Sequence, residues 1–305
     1  MPLHVILGAN GNIGNAISQA LFSKGISVRQ VSRNPNKVNE SDELMQADLL
    51  NAQQVHQAVK GAEIVYLCAG ITYSAKIWER DWPIIMKNTL EACIAKQCRL
   101  VFFDNMYALD PGKVGHLTEE TPMNPKSRKG KVRKQILEML WLAVKQKQLQ
   151  AMVVRAADFY GPKAKNSFLN ELVIERVKAG KNPQWTYAGD KKHSFTYIPD
   201  AGKATAFLSL QENAWNQTWN LPTDPSYPSA QEITQMLNEK LGKNTKLMVM
   251  PSFLVWLLGL FIPPLKEVRE LKYQTAMDYC LDPSKLKKEF GIKPTPFAEG
   301  LASCL

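Results

Sequence analysis

Seven consecutive residues, Gly8-Ala9-Asn10-Gly11-Asn12-Ile13-Gly14, have the composition of a loop that holds phosphate. Glycine lets the backbone turn tightly and approach a pyrophosphate closely. The free N–H groups and the dipole at the start of a following helix then favour the phosphate charge. The spacing is GxxGxxG, not the GxGxxG of the common fingerprint. Because an apolar run precedes the loop and a helical pattern follows it, a dinucleotide is expected on Gly8, Asn10, Gly11, Asn12, Ile13 and Gly14. A turn with no ligand is the alternative. The next apolar run bears on the choice of cofactor. NAD binders usually end it with an acid that holds the ribose hydroxyls. Here it ends Val31-Ser32-Arg33-Asn34-Pro35. Arg33 can pair with the 2′-phosphate of NADP, with Ser32 and Asn34 adding hydrogen bonds, so NADP(H) is expected ahead of NAD(H). Asp48 and Leu49 are placed to border the adenine, and Cys68, Ala69 and Gly70 to lie beside the cofactor.

Other groups able to do chemistry follow later strand-like runs. Phe103-Asp104-Asn105-Met106-Tyr107 offers an acid, an amide and a phenol, and Ile71-Thr72-Tyr73 a second phenol. An amide can polarise a carbonyl through its N–H, a phenol can transfer a proton, and a carboxylate can act as acid or base. Each tyrosine also has a plain reading, in packing or a surface hydrogen bond. His193 either touches a substrate or makes a structural hydrogen bond. No His, Cys or carboxylate cluster has metal-ligand spacing, so no metal is expected.

The elements that must position these residues read as strands over 4–7, 27–32, 45–47, 64–69, 100–103 and 152–155, separated by helices over 12–23, 52–59, 82–96 and 131–147. Continuous apolar strands alternating with helices predict a parallel sheet covered on both faces, the doubly wound α/β (Rossmann) arrangement. After Tyr160-Gly161-Pro162 the pattern changes. A helix over 169–179 precedes a strand pair, 184–187 and 194–197, flanking the turn Gly189-Asp190. A helix over 200–210, a strand over 218–221 and proline-broken helices to 290 and 303 follow. Residues 1–160 are thus expected to form the dinucleotide-binding domain. Residues 161–305 form a smaller lid for a small-molecule substrate, with 194–221 returning to the core.

The 305 residues are 45% hydrophobic and 22% charged, ordinary globular composition, with a net charge of +10. That charge favours anionic ligands but names no partner, and no aromatic-basic motif points to specific nucleic-acid binding. Five cysteines without a CxxC pair fit a reducing compartment, and MPLHVILGANG carries no secretory signature, so a cytoplasmic location is expected. The longest apolar run, 253–262, is too short to span a bilayer. A buried lid helix is expected there in preference to a membrane-surface segment. A monomer or a homodimer fits equally.

Taken in order, the chain resembles the extended branch of the short-chain dehydrogenase/reductase superfamily, the NAD-dependent epimerases and dehydratases. The resemblance rests on GANGNIG, Asp48-Leu49, Cys68-Ala69-Gly70 and Asn88. It continues through Val154-Arg155-Ala156-Ala157-Asp158-Phe159-Tyr160-Gly161-Pro162 and His193-Ser194-Phe195-Thr196-Tyr197-Ile198-Pro199-Asp200. It implies a Ser, Tyr and Lys set with Tyr and Lys spaced YxxxK on the helix before the sixth strand. The helix here opens Arg128-Lys129-Gly130-Lys131-Val132-Arg133-Lys134. With Lys134 in the lysine position, holding the nicotinamide ribose, Gly130 falls where the tyrosine belongs, and Asn105 falls at the serine. An oxidoreductase or epimerase acting on a small carbonyl or sugar-like compound is then expected to take its proton from Tyr107 or Tyr73. A protein that binds NADP(H) as a redox sensor without turnover is the alternative.

Overall fold

In the computed structural model, residues 2–305 are described, the side chains of Pro263 and Pro264 excepted. The strands in chain order are β1 (Leu3–Leu7), β2 (Ser27–Ser32), β3 (Glu43–Gln46), β4 (Ile64–Leu67), β5 (Arg99–Asp104), β6 (Ala151–Arg155), β7 (Asp158–Tyr160), β8 (Gln184–Thr186), β9 (Phe195–Tyr197), β10 (Thr218–Asn220) and β11 (Met248–Met250). The helices that bear on the site are α1 (Asn12–Phe22), α2 (Ala52–Ala58), α3 (Ala75–Lys96), α4 (Arg128–Lys145), α5 (Glu175–Lys178), α6 (Ile198–Leu208), α7 (Ala230–Leu241), α8 (Ser252–Leu258) and α9 (Pro263–Val268).

A seven-stranded sheet in the order β10-β6-β5-β4-β1-β2-β3 forms the core, and every neighbouring pair is parallel. This is the doubly wound α/β arrangement. Parallel strands are joined by crossovers that lay helices on both faces, so alternate residues of each strand must be apolar on both sides. Val5, Leu7, Val65, Leu67, Leu100, Phe102 and Val153 pack against α2, α3 and α4. The intervening Ile6, Ile64, Tyr66, Val101, Met152 and Val154 pack against α1 and α6. Gly202 allows α6 to meet α1 closely: a Cβ there would lie 2.6 Å from the Ala16 backbone carbon.

Several sequence expectations shift. The third strand is Glu43–Gln46 instead of 45–47. The helix expected to start at residue 82 starts at Ala75, and Pro83 lies inside it. α4 begins three residues earlier than expected because the Ser127 hydroxyl accepts from the Gly130 N–H at 3.0 Å and caps its first turn. The segment expected as a helix over 169–179 opens as a π turn over Asn170–Ile174 before α5. The two lid strands do not form a hairpin. β8 pairs in parallel with β11, and β9 pairs in parallel with β7. The connection between them is irregular, with Tyr187 at φ +66°, and each finds its partner elsewhere in the chain. Thr218–Asn220 extends the main sheet beside β6.

The largest departure is the apolar run 253–262, expected to be buried. Val255 and Gly259 alone are buried, four residues apart on one helical face. Phe253, Trp256, Leu260 and Phe261 are 69, 47, 57 and 79% exposed. α8 is seven residues long and packs by one side only, so a segment that is apolar all round leaves its other side in solvent. Among the described residues no helix is long and apolar enough to cross a membrane. All five cysteines are free thiols.

One buried histidine sets a pH limit on this core. His4 is 1% exposed in β1, its Nδ1 lies 2.9 Å from the Tyr66 hydroxyl, and that hydroxyl donates to Ser209 Oγ at 2.7 Å. Burial lowers its pKa from 6.5 to about 4. Between these values the unfolded chain binds the proton and the folded chain does not. Stability is therefore full above pH 6.5 and falls as the pH drops towards 4, by up to about 3 kcal/mol from this group. Denaturant melts at pH 7 and pH 4.5 are expected to show that loss, and His4→Gln to flatten the slope. An unchanged slope in the variant would remove His4 as its source.

Candidate active site

The glycine loop lies where β1 ends and α1 begins, against the end of β4. Gly8 has φ +105°, and a Cβ on it would meet the Ala69 backbone at 2.5 Å, so only glycine fits. The Gly8 and Ala9 N–H groups both donate to Val31 O at 3.0 Å, which ties the loop to β2. Gly14 packs so closely that a Cβ would reach Ile6 Cγ2 at 3.1 Å. Gly11 is the N-cap of α1; it offers no side chain to that helix start, and the first turn carries no acid. The N-terminal end of α1 thus keeps its donors and its positive dipole end for an outside anion. That arrangement fits the pyrophosphate of a dinucleotide.

The residues around the loop are brought together as follows. Asn10, at φ +74°, donates through Nδ2 to Asn34 O at 2.6 Å and accepts from Asn36 N at 2.9 Å, bridging to the segment after β2. Ser32 Oγ accepts from Asn34 N at 3.3 Å. Arg33 is exposed at the end of β2 and makes no ion pair among the described residues. Ile13 is buried on the core side of α1. The Asp48 carboxylate accepts from Leu50 N at 3.0 Å, and Leu49 O accepts from Asn88 Nδ2 at 2.9 Å. Cys68, Ala69 and Gly70 follow β4; burial pushes the Cys68 thiol well up, so it stays protonated. Asn12 makes a contact the sequence did not suggest. Its side chain donates to Lys165 O at 2.7 Å and accepts from Lys165 N at 3.2 Å, pinning the segment after β7 to the start of α1.

At the C-terminal ends of β4 and β5 the picture differs from the sequence reading of α4. Gly130 faces the Tyr107 carbonyl so closely that a Cβ would lie 2.3 Å from it, and no tyrosine could stand there. Lys134 is 39% exposed, with Nζ 3.8 Å from Glu138. The pair with four-residue spacing that faces inward is Lys129 and Arg133, both buried. One helical step of 100° separates the two registers, and the basic run offers a cation in either. Lys129 and Arg133 thus stand one residue before Gly130 and Lys134 and make the buried charge contacts of this helix.

Arg133 donates to Asp104 through Nε at 2.8 Å and Nη2 at 2.6 Å, and its guanidinium lies over the rings of Phe102 and Trp82. Arg155 of β6 approaches the other oxygen of Asp104 at 3.4 Å. The carboxylate of Asp104 is therefore held between two guanidinium groups and is not open to a substrate. Asn105 turns back on its own loop, its Oδ1 accepting from Tyr107 N at 3.0 Å. The Lys129 ammonium, 0% exposed, is paired with the carboxylates of Glu267 and Glu270, the latter at 2.6 Å, and lies 4.6 Å above the Tyr73 ring. The Tyr73 and Tyr107 hydroxyls are 3.3 Å apart. Burial pushes both pKa values up, and carboxylates nearby push them further, so both phenols stay protonated. His193 is buried with Nε2 2.9 Å from Asp158 Oδ2, packed against Trp185, Phe195 and Tyr279. Among the described residues no group of His, Cys, Asp or Glu is placed to hold a metal ion.

Lys129, Arg133, Glu267 and Glu270 were missed in the sequence. Lys129 and Arg133 sit in a basic run that reads as a solvated face, and the two glutamates lie about 140 residues further on. Lys129→Met would leave Glu267 and Glu270 facing each other without a cation. It is expected to lower stability by about 3 kcal/mol or more, read as a fall in melting temperature. A melting temperature equal to wild type would show that the three groups do not hold the lid.

Residues 4–221 match the model of the NAD dependent epimerase/dehydratase family. Among curated proteins, a UDP-N-acetyl-alpha-D-glucosaminuronate decarboxylase of Bacillus cytotoxicus is 22% identical, over 95% of each chain. Among solved structures, a UDP-glucose 4-epimerase of Thermotoga maritima superposes with a TM-score of 0.81 at 20% identity, covering 99% of this chain and 96% of that one. A UDP-glucuronic acid 4-epimerase of Bacillus cereus, bound to UDP-glucuronic acid and NAD, gives 0.82 at 18% identity, covering 99% and 97%. These likenesses agree with the parallel sheet described above, and the family match spans most of the chain: it belongs to the NAD dependent epimerase/dehydratase family of enzymes.

Proposed function

We propose that this chain binds NADP(H) in preference to NAD(H) and transforms a sugar-like carbonyl or alcohol held beneath the C-terminal lid, in a reducing, cytoplasmic compartment. The observation that carries the proposal is the start of α1: a glycine cap, no acid in the first turn, and a backbone brought close to β4. The unpaired Arg33 at the edge of that loop favours the 2′-phosphate, since a guanidinium matches phosphate in a charge-assisted, two-pronged contact. The sugar-like substrate is supported by the named activities of the relatives.

The nicotinamide, when bound, supplies or accepts a hydride. The chain's own part is to position the substrate and move a proton. Tyr73 and Tyr107 are the groups suited to this, because they share a 3.3 Å contact near the ends of β4 and β5. Held protonated, they serve as acids: one hydroxyl gives its proton to the oxygen that gains negative charge as a carbonyl is reduced. Reduction of a carbonyl is then favoured over oxidation of an alcohol, which needs a base.

The paired state of Lys129 and Arg133 favours a second reading, in which the chain binds the cofactor and reads its redox state without turnover. Both inward-facing cations of α4 are already satisfied by protein carboxylates.

Calorimetric titration of NADPH and NADH into the cofactor-free protein tests the first part. NADPH is expected to bind more tightly, and Arg33→Ala to weaken NADPH by about 10-fold or more while leaving NADH unchanged. Equal effects on both would remove the 2′-phosphate assignment. NADPH oxidation across a panel of carbonyl sugars and sugar nucleotides tests the second part. Tyr107→Phe or Tyr73→Phe is expected to lower turnover by about 10²-fold or more. If both variants turn over at the wild-type rate, the proton comes from elsewhere. Tight binding with no turnover on any compound would favour the second reading.

A further inference from the structure

We infer that the outer face of α8 and α9 docks on an anionic phospholipid surface. The side chains of Phe253, Trp256, Leu257, Leu260, Phe261 and Ile262 are all exposed within a ten-residue stretch of chain, with the Phe253 and Trp256 rings stacked. A soluble monomer rarely exposes so many large apolar side chains together.

The charges beside the patch indicate what covers it. Between residues 247 and 277 the acids are Glu267 and Glu270, and the bases are Lys266, Arg269 and Lys272. Both acids turn inward: Glu267 accepts from Ala75 N, Glu270 from Arg128 N, and both pair with the buried Lys129. Lys266 and Lys272 are exposed, and Arg269 is half-buried. Arg269 packs beside α8: a side chain on Gly259, on the buried side of that helix, would meet Arg269 Cδ at 3.2 Å and the Lys266 main-chain N at 3.3 Å. The segment therefore shows solvent apolar groups and cations, with its negative charge spent on internal contacts. An aromatic and leucine face flanked by lysine is the pattern of a segment lying in a membrane interface, the rings among the acyl chains and the ammonium groups at the headgroups. The net charge of +10 favours a negatively charged surface over a neutral one. An apolar protein surface would not require the sorting of acids inward and bases outward.

The test is cosedimentation of the full chain at low salt with vesicles of phosphatidylglycerol and phosphatidylcholine, against vesicles of phosphatidylcholine alone. Binding to the anionic vesicles only is expected, weakened by added salt. Phe261→Asp is expected to reduce it by about tenfold or more. Lys266→Glu and Lys272→Glu are each expected to reduce it by about fivefold or more. These side chains are exposed, so the melting temperature and NADPH binding of each variant serve as the check that the fold is intact. No binding to the anionic vesicles, equal binding to both kinds, or Phe261→Asp binding as wild type would overturn the inference. So would a lipid-free dimer that Phe261→Asp dissociates, because the patch would then be covered by a second copy of this chain.

Discussion

The burial of one ammonium constrains much of what lies between the sheet and the lid. Lys129 is wholly removed from solvent, and a charge in that position is tolerated only when opposite charges and hydrogen bonds surround it. Glu267 and Glu270 satisfy it, and each does a second job. Their oxygens also accept from Ala75 N and Arg128 N, donors at the starts of α3 and α4 that have no partner inside their own helices. A carboxylate at a helix start is also favoured by the dipole. The segment carrying the glutamates is therefore bound to two helices and to Lys129 at once, and cannot be moved without uncovering all of them. Such an arrangement contributes little net stability compared with an apolar core, but it is expensive to break at one member, so it defines position more than it adds strength.

The same logic operates at the end of β5. Asp104 sits between Arg133 and Arg155, and the flat guanidinium of Arg133 is sandwiched against Phe102 and Trp82. Charged groups that might have met a substrate are thereby committed to each other. What remains for proton transfer near β4 and β5 is neutral, the Tyr73 and Tyr107 hydroxyls, kept protonated by burial and by neighbouring carboxylates. The character proposed for the site, acid rather than base, follows from that environment.

On the cofactor side the constraint is steric. β1, β2 and β4 converge on Gly8, where there is no room for a Cβ, and α1 starts with a bare glycine cap. The alternation of apolar residues in β1, β4, β5 and β6 feeds both faces of the sheet, which is why the helices cover it on both sides. Asn12 then fastens the segment after β7 to the beginning of α1 through Lys165.

Local patterns determined the parts of this protein that depend on neighbours in the chain. The continuous apolar runs of the strands, the helical repeats between them and the loop from Gly8 to Gly14 are short-range features, and they led directly to the parallel sheet and the site for a dinucleotide. The position of Arg33, exposed and one residue past its strand, was legible for the same reason. Tertiary structure alone decided the rest. Lys129 and Arg133 lie one residue before Gly130 and Lys134 on α4, and only contact with β5 and with the segment carrying Glu267 and Glu270 shows which of these cations are buried. The pairing of β8 with β11 and β9 with β7 needed strands distant in the chain. The exposure of Phe253, Trp256 and Phe261 depended on whether anything was left to cover α8. An apolar stretch says that burial would be favourable; only the packed chain shows whether a partner surface exists within it.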